Sequence, residues 1–242
     1  LRMRRSPYGF EVLETCTTCS WRTEQFFCAV GPDVLAKFEG IAFTNVYPTG
    51  SLLFSEGETA RAVYVLCKGA VKLSIASGDG KTLITHIARP GEALGISSVI
   101  AGHEYRTTAE TLEPSQVKVM RRDDFLRFAT SELEASRRVA HQLSMDCEAA
   151  NDHVRAIGLS RSAAEKLAHL VVTWAEESGR PSDQGTRVQV LMTHHDISQL
   201  IGTSRETVTR LLKEFREKGI LSVKGSTLTI HNRAALEALV SM

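Results

Sequence analysis

The sequence lacks a long apolar run and a strong net charge. No stretch approaches the roughly 20 consecutive apolar residues that span a bilayer. Three arginines lie within Leu1–Phe10, but no apolar stretch follows them, so this segment does not resemble a secretory signal. The formal net charge is only +1, and a chain that binds nucleic acid would therefore need a local basic patch. We expect a cytoplasmic protein that does not contact a membrane.

Cysteine is scarce and odd in number, and the common catalytic motifs are missing. Five cysteines cannot all pair, which favours thiols or metal ligands over a disulfide framework. The sequence contains no P-loop, no nucleophile elbow and no H-E-x-x-H motif. The adjacent His194 and His195 would point about 100° apart on a helix, so they are poorly placed to act together as a metal site or a general base. We therefore expect a protein that is not an enzyme.

The stretch from residue 41 to residue 122 has the pattern of a small β domain. Apolar and polar side chains alternate over Val71–Ile75, as they do in a half-buried strand. Ser77–Gly80 has the composition of a turn between two strands. Many short strands joined by glycine turns predict an antiparallel roll or barrel. Residues 1–40 would precede it as a cysteine-bearing segment with a short helix, Pro32–Gly40.

A long helix is predicted within residues 123–158. Ser131 and Glu134 have the spacing of a capping box at a helix start, and Gly158 interrupts the pattern. Between them, apolar residues recur at spacings of three and four, which places them on one narrow seam. Such a seam suits a parallel helix pair, so we expect it to form the interface of a homodimer. The seam residues are Val139, Leu143, Cys147, Ala150, Val154 and Ile157.

The last predicted domain, residues 159–242, contains two short helices joined by a glycine turn. Thr193 would cap the first helix, with Asp196 three positions on. Thr203 and Glu206 have the spacing of a second capping box, which would begin the second helix. A tight pair of helices whose second member has a basic polar face is the arrangement of a major-groove reader.

The second helix of this pair has two different faces. The apolar residues between Val208 and Phe215 fall on one arc, and the opposite arc is polar and basic. Arginine can bond a guanine edge, and glutamate can accept from the cytosine amino group. Leu221–Val223 and Leu228–Ile230 would form a hairpin wing. The residues that we expect at the DNA are Thr193, Ser204, Arg205, Glu206, Thr207, Thr209, Arg210 and Lys213.

One alternative is a signal-binding module whose winged helix contacts protein instead of DNA. The polar arc with Arg205, Glu206 and Arg210 argues against it, because these side chains suit base edges. A gel shift with genomic fragments would discriminate the two.

Ser204–Val208, with Arg210 after it, closely resembles the recognition helix of the Crp/Fnr superfamily, the catabolite-activator and fumarate-nitrate-reduction regulators. The resemblance extends through Lys218–Leu221 into the wing, and Gly69–Lys72 and Pro90–Gly95 resemble the family's β-roll. It implies an α+β protein with an N-terminal cyclic-nucleotide-binding-type β-roll, a long dimerisation helix and a C-terminal winged helix-turn-helix. It also implies a transcription regulator with double-stranded DNA and RNA polymerase as partners.

The resemblance further implies which residues read bases. Arg205, Glu206 and Arg210 match the base-contacting positions of the family. Arg205 resembles the catabolite-activator branch, which implies a TGTGA-like half-site, whereas Thr209 matches a small hydroxyl residue of the other branch, whose half-site is TTGAT-like. Both half-sites stay open. A dimer would bind a near-palindrome with half-sites about 34–36 Å apart.

The resemblance also identifies an effector pocket around Gly95, Arg106 and Thr107. Arg106 and Thr107 match the phosphate-binding arginine and hydroxyl residue of the family's cyclic nucleotide site. The position after Gly95 should be a glutamate that holds the ribose hydroxyl, but it is Ile96. A buried unpaired hydroxyl would cost about 1–3 kcal/mol. We therefore favour an Arg106 that ties two strands together over a cyclic nucleotide effector, which stays the alternative.

The N-terminal cysteines offer a second signal. Cys16 and Cys19 have a metal-ligand spacing, and Cys28 can close on the same centre. They resemble the cysteine-rich segment that ligates an iron–sulfur cluster in the oxygen-sensing branch of the family. The gap to Cys28 is longer than usual, and Ser115–Val119, where a fourth ligand is expected, has no cysteine, which leaves Cys67 as the candidate. We rank an iron–sulfur cluster first, zinc second and free thiols close behind.

Overall fold

The computed structural model describes residues 4–5, 7–9, 11–12, 15–22, 26–159 and 162–240 of the chain. They form two units, of which the first runs to residue 149 without residues 81–84, and the second takes residues 81–84 and those from 150 onward. None of the described helices is long and apolar enough to cross a membrane.

The first unit is built on two four-stranded sheets. One sheet has the order β3-β10-β5-β8 and the other the order β4-β9-β6-β7, and β1 pairs with β2 in a separate small ladder. The antiparallel pairs include β3 with β10 and β6 with β9. The strands are β1 Arg4–Arg5, β2 Glu11–Val12, β3 Ala42–Tyr47, β4 Leu52–Phe54, β5 Ala62–Lys68, β6 Val71–Ala76, β7 Thr82–Ala88, β8 Ala93–Leu94, β9 Thr108–Thr111 and β10 Ser115–Arg121.

Helices surround this β-roll and share its core. Phe38 and Phe128 pack at 6.2 Å between ring centroids, and Leu35, Phe125 and Met120 are fully buried beside them. These apolar side chains hold the helices on the strands that carry the buried faces. The helices are a 3-10 turn Phe26–Ala29, α1 Pro32–Ile41, α2 Ile96–Ala101, α3 Arg122–Ser131 and α4 Leu133–Leu159.

The predicted capping box at Ser131 and Glu134 is wrong. Ser131 is the last residue of α3, and its hydroxyl donates to the carbonyl oxygen of Phe128 at 3.4 Å. Glu134 lies in the first turn of α4, and its carboxylate accepts two contacts from the Gly31 amide, at 3.0 and 3.1 Å. The carboxylate that should return to the cap is therefore used by another segment. Residues 123–158 thus hold two helices, and α4 continues through Gly158.

The second unit is a winged helix domain. Its four-stranded sheet has the order β11-β12-β14-β13. The sequence predicts a polar loop over Gly179–Gly185 and a strand over Arg187–Met192. Instead, a hairpin forms in the loop stretch, and its second strand lies earlier than predicted, at Gly185–Gln189. Gly185 has a φ of +122°, and a Cβ there would lie 2.0 Å from the Ile230 carbonyl oxygen, so the hairpin needs glycine. The elements are α5 Ala163–Ser178, β11 Arg180–Ser182, β12 Gly185–Gln189, α6 His194–Leu200, α7 Arg205–Glu217, β13 Leu221–Lys224, β14 Thr227–Ile230 and α8 Arg233–Val240.

Candidate functional site

The first helix of the C-terminal pair, α6, begins at a complete capping box, as the sequence predicts. The Thr193 hydroxyl accepts from the Asp196 amide at 3.1 Å, and the Asp196 carboxylate accepts from the Thr193 amide at 2.9 Å. These bonds satisfy amides that the helix itself leaves unpaired. After α6, Gly202 adopts a φ of +63°, which lets the chain turn directly into α7.

The predicted capping box of Thr203 and Glu206 is wrong, because α7 begins one residue later. Ser204 is the N-cap, and its hydroxyl accepts from the Thr207 amide at 3.2 Å. Thr203 belongs to the turn, since its amide donates to the Ser198 carbonyl oxygen at 2.9 Å. Glu206 stands in the first turn instead. Hydrogen bonds from its own amide and from the Ser204 hydroxyl lower its pKa, which favours a charged acceptor on an exposed face.

Helix α7 separates its two faces as the sequence predicts. Val208, Leu211, Leu212 and Phe215 are buried against the rest of the domain. The opposite arc reaches solvent and carries the polar and basic side chains. Its exposed members are Ser204, Arg205, Glu206, Thr209, Arg210 and Lys213, while Thr207 is half-buried.

Two charges of this exposed arc are already paired along the helix. Arg210 Nη1 lies 2.6 Å from Glu214 Oε1, and Lys213 Nζ lies 3.8 Å from Glu217 Oε1. Exposed pairs at this spacing contribute about 0.3–0.5 kcal/mol, which is less than the about 1–3 kcal/mol of a bidentate base contact. The pairs therefore orient the side chains without preventing a base contact.

A histidine links α6 to α7. His194 Nδ1 lies 2.9 Å from the Thr209 Oγ1, and that hydroxyl also donates to the Arg205 carbonyl oxygen at 2.9 Å. Because the hydroxyl has one proton and uses it on Arg205, the histidine nitrogen is the donor of the first bond. The bond fixes the position of Thr209 in the exposed arc. His195, the neighbouring position, is exposed.

The wing is the hairpin of β13 and β14. Lys224 pairs with Thr227 across its end, and Gly225 adopts a φ of +61° at the tip. Lys224 is exposed. The wing agrees with the predicted hairpin apart from one residue at the end of β13 and one at the start of β14.

The four candidate metal ligands line a single cavity of the first unit. They share it with Trp21, Arg22 and apolar residues of α1 and β5; the four candidates are Cys16, Cys19, Cys28 and Cys67. Cys67 lies on β5, so the structure brings together thiols that are far apart in sequence. The thiols are not arranged as a metal site in this structure. Within the described ranges no three His, Cys, Asp or Glu side chains are close enough together to hold a metal ion. The donor set itself suits iron–sulfur or zinc, both of which bind thiolates.

Burial governs the chemistry of these thiols. The pKa of Cys16 is raised to about 11 and that of Cys67 to about 12, mainly by burial and to a smaller extent by the neighbouring cysteines. The Lys118 ammonium acts in the opposite direction on both thiols. Lys118 stands within Ser115–Val119, where the resemblance places a fourth cysteine, and it is buried with its Nζ 3.2 Å from Thr44 Oγ1. The strand in which a fourth cysteine is expected thus carries a buried ammonium, and the Cys67 thiol lies on the adjacent strand β5.

The segment that carries Cys28 is attached to α4. The Arg138 guanidinium donates to the Ala29 carbonyl oxygen at 2.7 Å, and the Glu134 carboxylate accepts from the Gly31 amide. Arg22 donates to the carbonyl oxygen of Cys28 itself. No sequence pattern could indicate the two bonds to α4, because in each the partners are more than 100 positions apart.

The candidate effector residues do not form a polar cluster. Gly95 has a φ of +82°, and a Cβ there would lie 2.8 Å from the Tyr105 ring. Ile96 is 1% exposed and belongs to the apolar core, so no acceptor for a ribose hydroxyl stands at that position. Arg106 is exposed and forms neither a hydrogen bond nor an ion pair with any described residue. The expectation that Arg106 ties two strands together is therefore wrong, and Thr107 is half-buried.

The predicted seam of α4 has two parts. Val139 is buried and Leu143 half-buried against the core of their own unit. Cys147 and Ala150 are exposed, Val154 is 68% exposed, and Ile157 is half-buried. Only the second part of the seam is therefore available to a partner.

Two family models match this chain, one before α4 and one after it. Residues 44–132 match the cyclic nucleotide-binding domain, and residues 165–239 match the Crp-like helix-turn-helix domain.

The chain is also similar to known regulators. It is 31% identical to the transcriptional activatory protein AadR of Rhodopseudomonas palustris, over 86% of this chain and 89% of that protein. It is 25% identical to the nitrogen fixation regulation protein FixK of Bradyrhizobium diazoefficiens, over 93% and 94% of the two chains. The solved structure of FixK2 from Bradyrhizobium japonicum matches with a TM-score of 0.71 and 25% identity, over 82% of this chain and 97% of that one.

The β-roll therefore corresponds to the first matched domain and the winged helix-turn-helix to the second, with the long helix between them. The chain belongs to the Crp/Fnr superfamily of DNA-binding transcription regulators.

Proposed function

We propose that this regulator binds a palindromic operator as a homodimer and that the N-terminal cysteine cavity adjusts its DNA affinity. The observation that carries the first part is the exposed arc of α7. It presents Arg205, Glu206 and Arg210 on the first turns of a helix whose other face is buried. A helix held in this way can enter the major groove with its N-terminal residues at the base edges. RNA polymerase follows as a partner from the family, and the cytoplasm as the place of action.

The half-site is proposed from the same arc. Arg205 favours a TGTGA-like half-site, and Thr209 favours a TTGAT-like one. The structure adds that Thr209 is held by His194, so its hydroxyl is less free to turn towards a base than an unbonded one. We therefore expect the TGTGA-like half-site to bind more tightly.

Fluorescence anisotropy tests the DNA part directly. Two labelled duplexes, one with TGTGA and one with TTGAT half-sites about 34–36 Å apart, are titrated at the same salt concentration beside a scrambled duplex. Tighter binding of one palindrome than of the scrambled duplex supports sequence-specific reading. Equal binding of all three contradicts it and favours a winged helix that contacts protein.

The homodimer is proposed from the free part of the α4 seam. Val154 is 68% exposed, and Cys147 and Ala150 lie exposed on the same seam of the helix. Large apolar side chains at helical spacing are buried when a second helix packs on them. A parallel pair of α4 helices would cover them and place two α7 helices on successive major grooves.

The signal is proposed from the cysteine cavity. Four thiols from two segments line it, and an iron–sulfur cluster there would make the protein sensitive to oxygen or redox state. Ligand thiols must lose their protons, and the raised pKa values of Cys16 and Cys67 mean that both are protonated until a metal binds. A change in the cavity could reach the DNA-binding half through the hydrogen bonds that tie Ala29 and Gly31 to α4, because these bonds connect the cysteine segment to the helix that carries the seam.

Purification under strict anaerobiosis tests the signal. Broad absorbance near 400 nm with bound iron and sulfide, lost in Cys67→Ser as well as in Cys16→Ser, would support a cluster held by four cysteines. Zinc at one equivalent without colour would support the second candidate. A colourless protein without metal would contradict both and leave free thiols, or a cyclic nucleotide near Arg106, as the signal.

A further inference from the structure

The winged helix domain contains a cavity of about 240 Å³ between α5, α6, α7 and the wing. Its floor is apolar and comes from every one of these elements. Leu167, Trp174, Ile197, Leu212 and Leu228 form it, and each is buried. The cavity therefore lies under the helix that reads DNA and not at the effector pocket or the cysteine cavity.

The polar groups of the cavity are few. Thr193 is already engaged with Asp196, and His194 Nδ1 with Thr209. The remaining polar side-chain groups of the lining are His194 Nε2, the Trp174 indole N–H and the Ser226 hydroxyl. The Ser226 hydroxyl accepts from Gln189 Nε2 and keeps its proton for a further bond, and Ser226, at the wing tip, is exposed. Among the residues that line the cavity none is aspartate, glutamate, lysine or arginine.

We propose that this cavity binds a small neutral molecule with an apolar, ring-sized body and one hydroxyl or comparable polar group. The volume of the cavity limits the apolar part of the ligand to about one ring. An apolar cavity of about 150 Å³ stays dry and accepts benzene, whereas drug-sized ligands need about 300 Å³ or more. The missing charges exclude a nucleotide or another strongly ionic ligand, whose charge would be buried without a partner. The polar group of the ligand bonds His194 Nε2 or Ser226 at the mouth.

This site goes beyond the proposed DNA reading and the proposed cysteine signal, and it depends on neither. Its lining nevertheless includes His194 of α6, Leu212 of α7 and Gly225 of the wing. A molecule that contacts all three elements binds with an affinity that depends on their arrangement. By linkage, its occupancy and the DNA affinity then influence each other reciprocally.

Fluorine NMR with 4-fluorophenol and fluorobenzene as probes tests the site on the full-length protein. We expect saturable line broadening with both probes. We also expect 4-fluorophenol to bind more tightly than fluorobenzene, because its hydroxyl forms a hydrogen bond at the mouth of the cavity. Val190→Phe fills the cavity from its wall and should weaken 4-fluorophenol by about tenfold, equivalent to about 1.4 kcal/mol. The matched control is Leu191→Phe, since Leu191 is the next residue, is exposed and does not line the cavity.

A second filling variant covers the case in which Val190→Phe does not fold. Val223→Trp enlarges an exposed side chain of the wing that also lines the cavity, so it needs no repacking of the core. Loss of binding in a filling variant with retention in Leu191→Phe supports the proposal. Absence of saturable broadening, equal binding by filling and control variants, or tighter binding of fluorobenzene would overturn it.

Discussion

Arg205 stands on the first turn of α7, where a guanidinium can reach a base edge without unpacking the helix. We predict that Arg205→Ala loses about 1–3 kcal/mol of binding free energy and relaxes specificity at one base pair. Arg216→Ala is the matched control, because it removes the same charge from an exposed position in the last turn of the same helix. Anisotropy titrations over a set of single-base variants measure both. Equal weakening at every sequence would identify Arg205 as a phosphate contact.

His86 makes the stability of the β-roll depend on pH. Its Nε2 lies 2.6 Å from Glu92 Oε2. Burial by itself lowers the pKa of His86, but the hydrogen bond and charge of Glu92 outweigh it, so the pKa is raised. A raised histidine pKa stabilises the folded state below pH about 6.5, and this stabilisation is lost as pH rises through the folded pKa. Burial also raises the pKa of the nearby Asp146, which likewise costs stability once it ionises.

We therefore predict a lower free energy of unfolding at about pH 8.5 than at about pH 6. Urea unfolding followed by circular dichroism at both values measures it. His86→Gln keeps a hydrogen-bonding side chain without the titration and should flatten the difference. An unchanged pH dependence in that variant would place its origin elsewhere in the chain.

Single-residue roles were only partly predictable from sequence. The polar and apolar arcs of α7 follow from helical spacing alone, and the structure confirms their exposure. The bond from His194 to Thr209 could not be predicted, because it depends on the angle between two helices. A strand-bridging role for Arg106 was favoured because Ile96 replaces the glutamate of a nucleotide site. Arg106 is instead exposed and has no partner among the described residues, so arguing against one role did not identify another.

At the scale of elements, the attachment of the Cys28 segment to α4 connects two parts that are remote in sequence. We predict that Arg138→Ala lowers the free energy of unfolding by about 1.5–3 kcal/mol, because the variant removes a charged, partly buried hydrogen bond to Ala29. It should also weaken the dependence of DNA affinity on oxygen or reductant. The control is Arg137→Ala, because Arg137 is the preceding residue of the same helix and its side chain is exposed. A stability loss with an unchanged redox response would contradict the coupling.

Helix starts show why local patterns predict some elements and not others. Thr193 and Asp196 form the predicted capping box, because each side chain accepts a hydrogen bond from the other residue's amide. Glu134 has the right spacing but is used by Gly31, and Thr203 is held in the turn by Ser198. A capping motif is thus a local preference that a long-range hydrogen bond can override. The hairpin of β11 and β12 was not predicted because its second strand, β12, also pairs with the distant strand β14, and a local pattern does not reveal such a pairing.

At the scale of the whole molecule, the free part of the α4 seam predicts the oligomeric state. Val154→Asp should convert the protein to a monomer, because a carboxylate would be buried without a partner between two helices. Arg155→Asp is the control, since it places the same residue at an adjacent, highly exposed position with only a 3.9 Å contact to Asp152. Sedimentation velocity measures both. A Val154→Asp dimer of unchanged stability would exclude this surface as the interface.

Trp21 gives the molecule an internal optical reporter. Its ring lines the cysteine cavity and lies 4.4 Å from Lys68 Nζ, and the chain has only one other tryptophan, Trp174. In a Trp174→Phe variant all indole emission would therefore come from the immediate surroundings of the four thiols. Iron or sulfide held there would quench it by contact or energy transfer, whereas zinc would leave it bright. The identity and the lifetime of the sensing state could then be followed by emission alone, in seconds and without removing a sample from the anaerobic chamber.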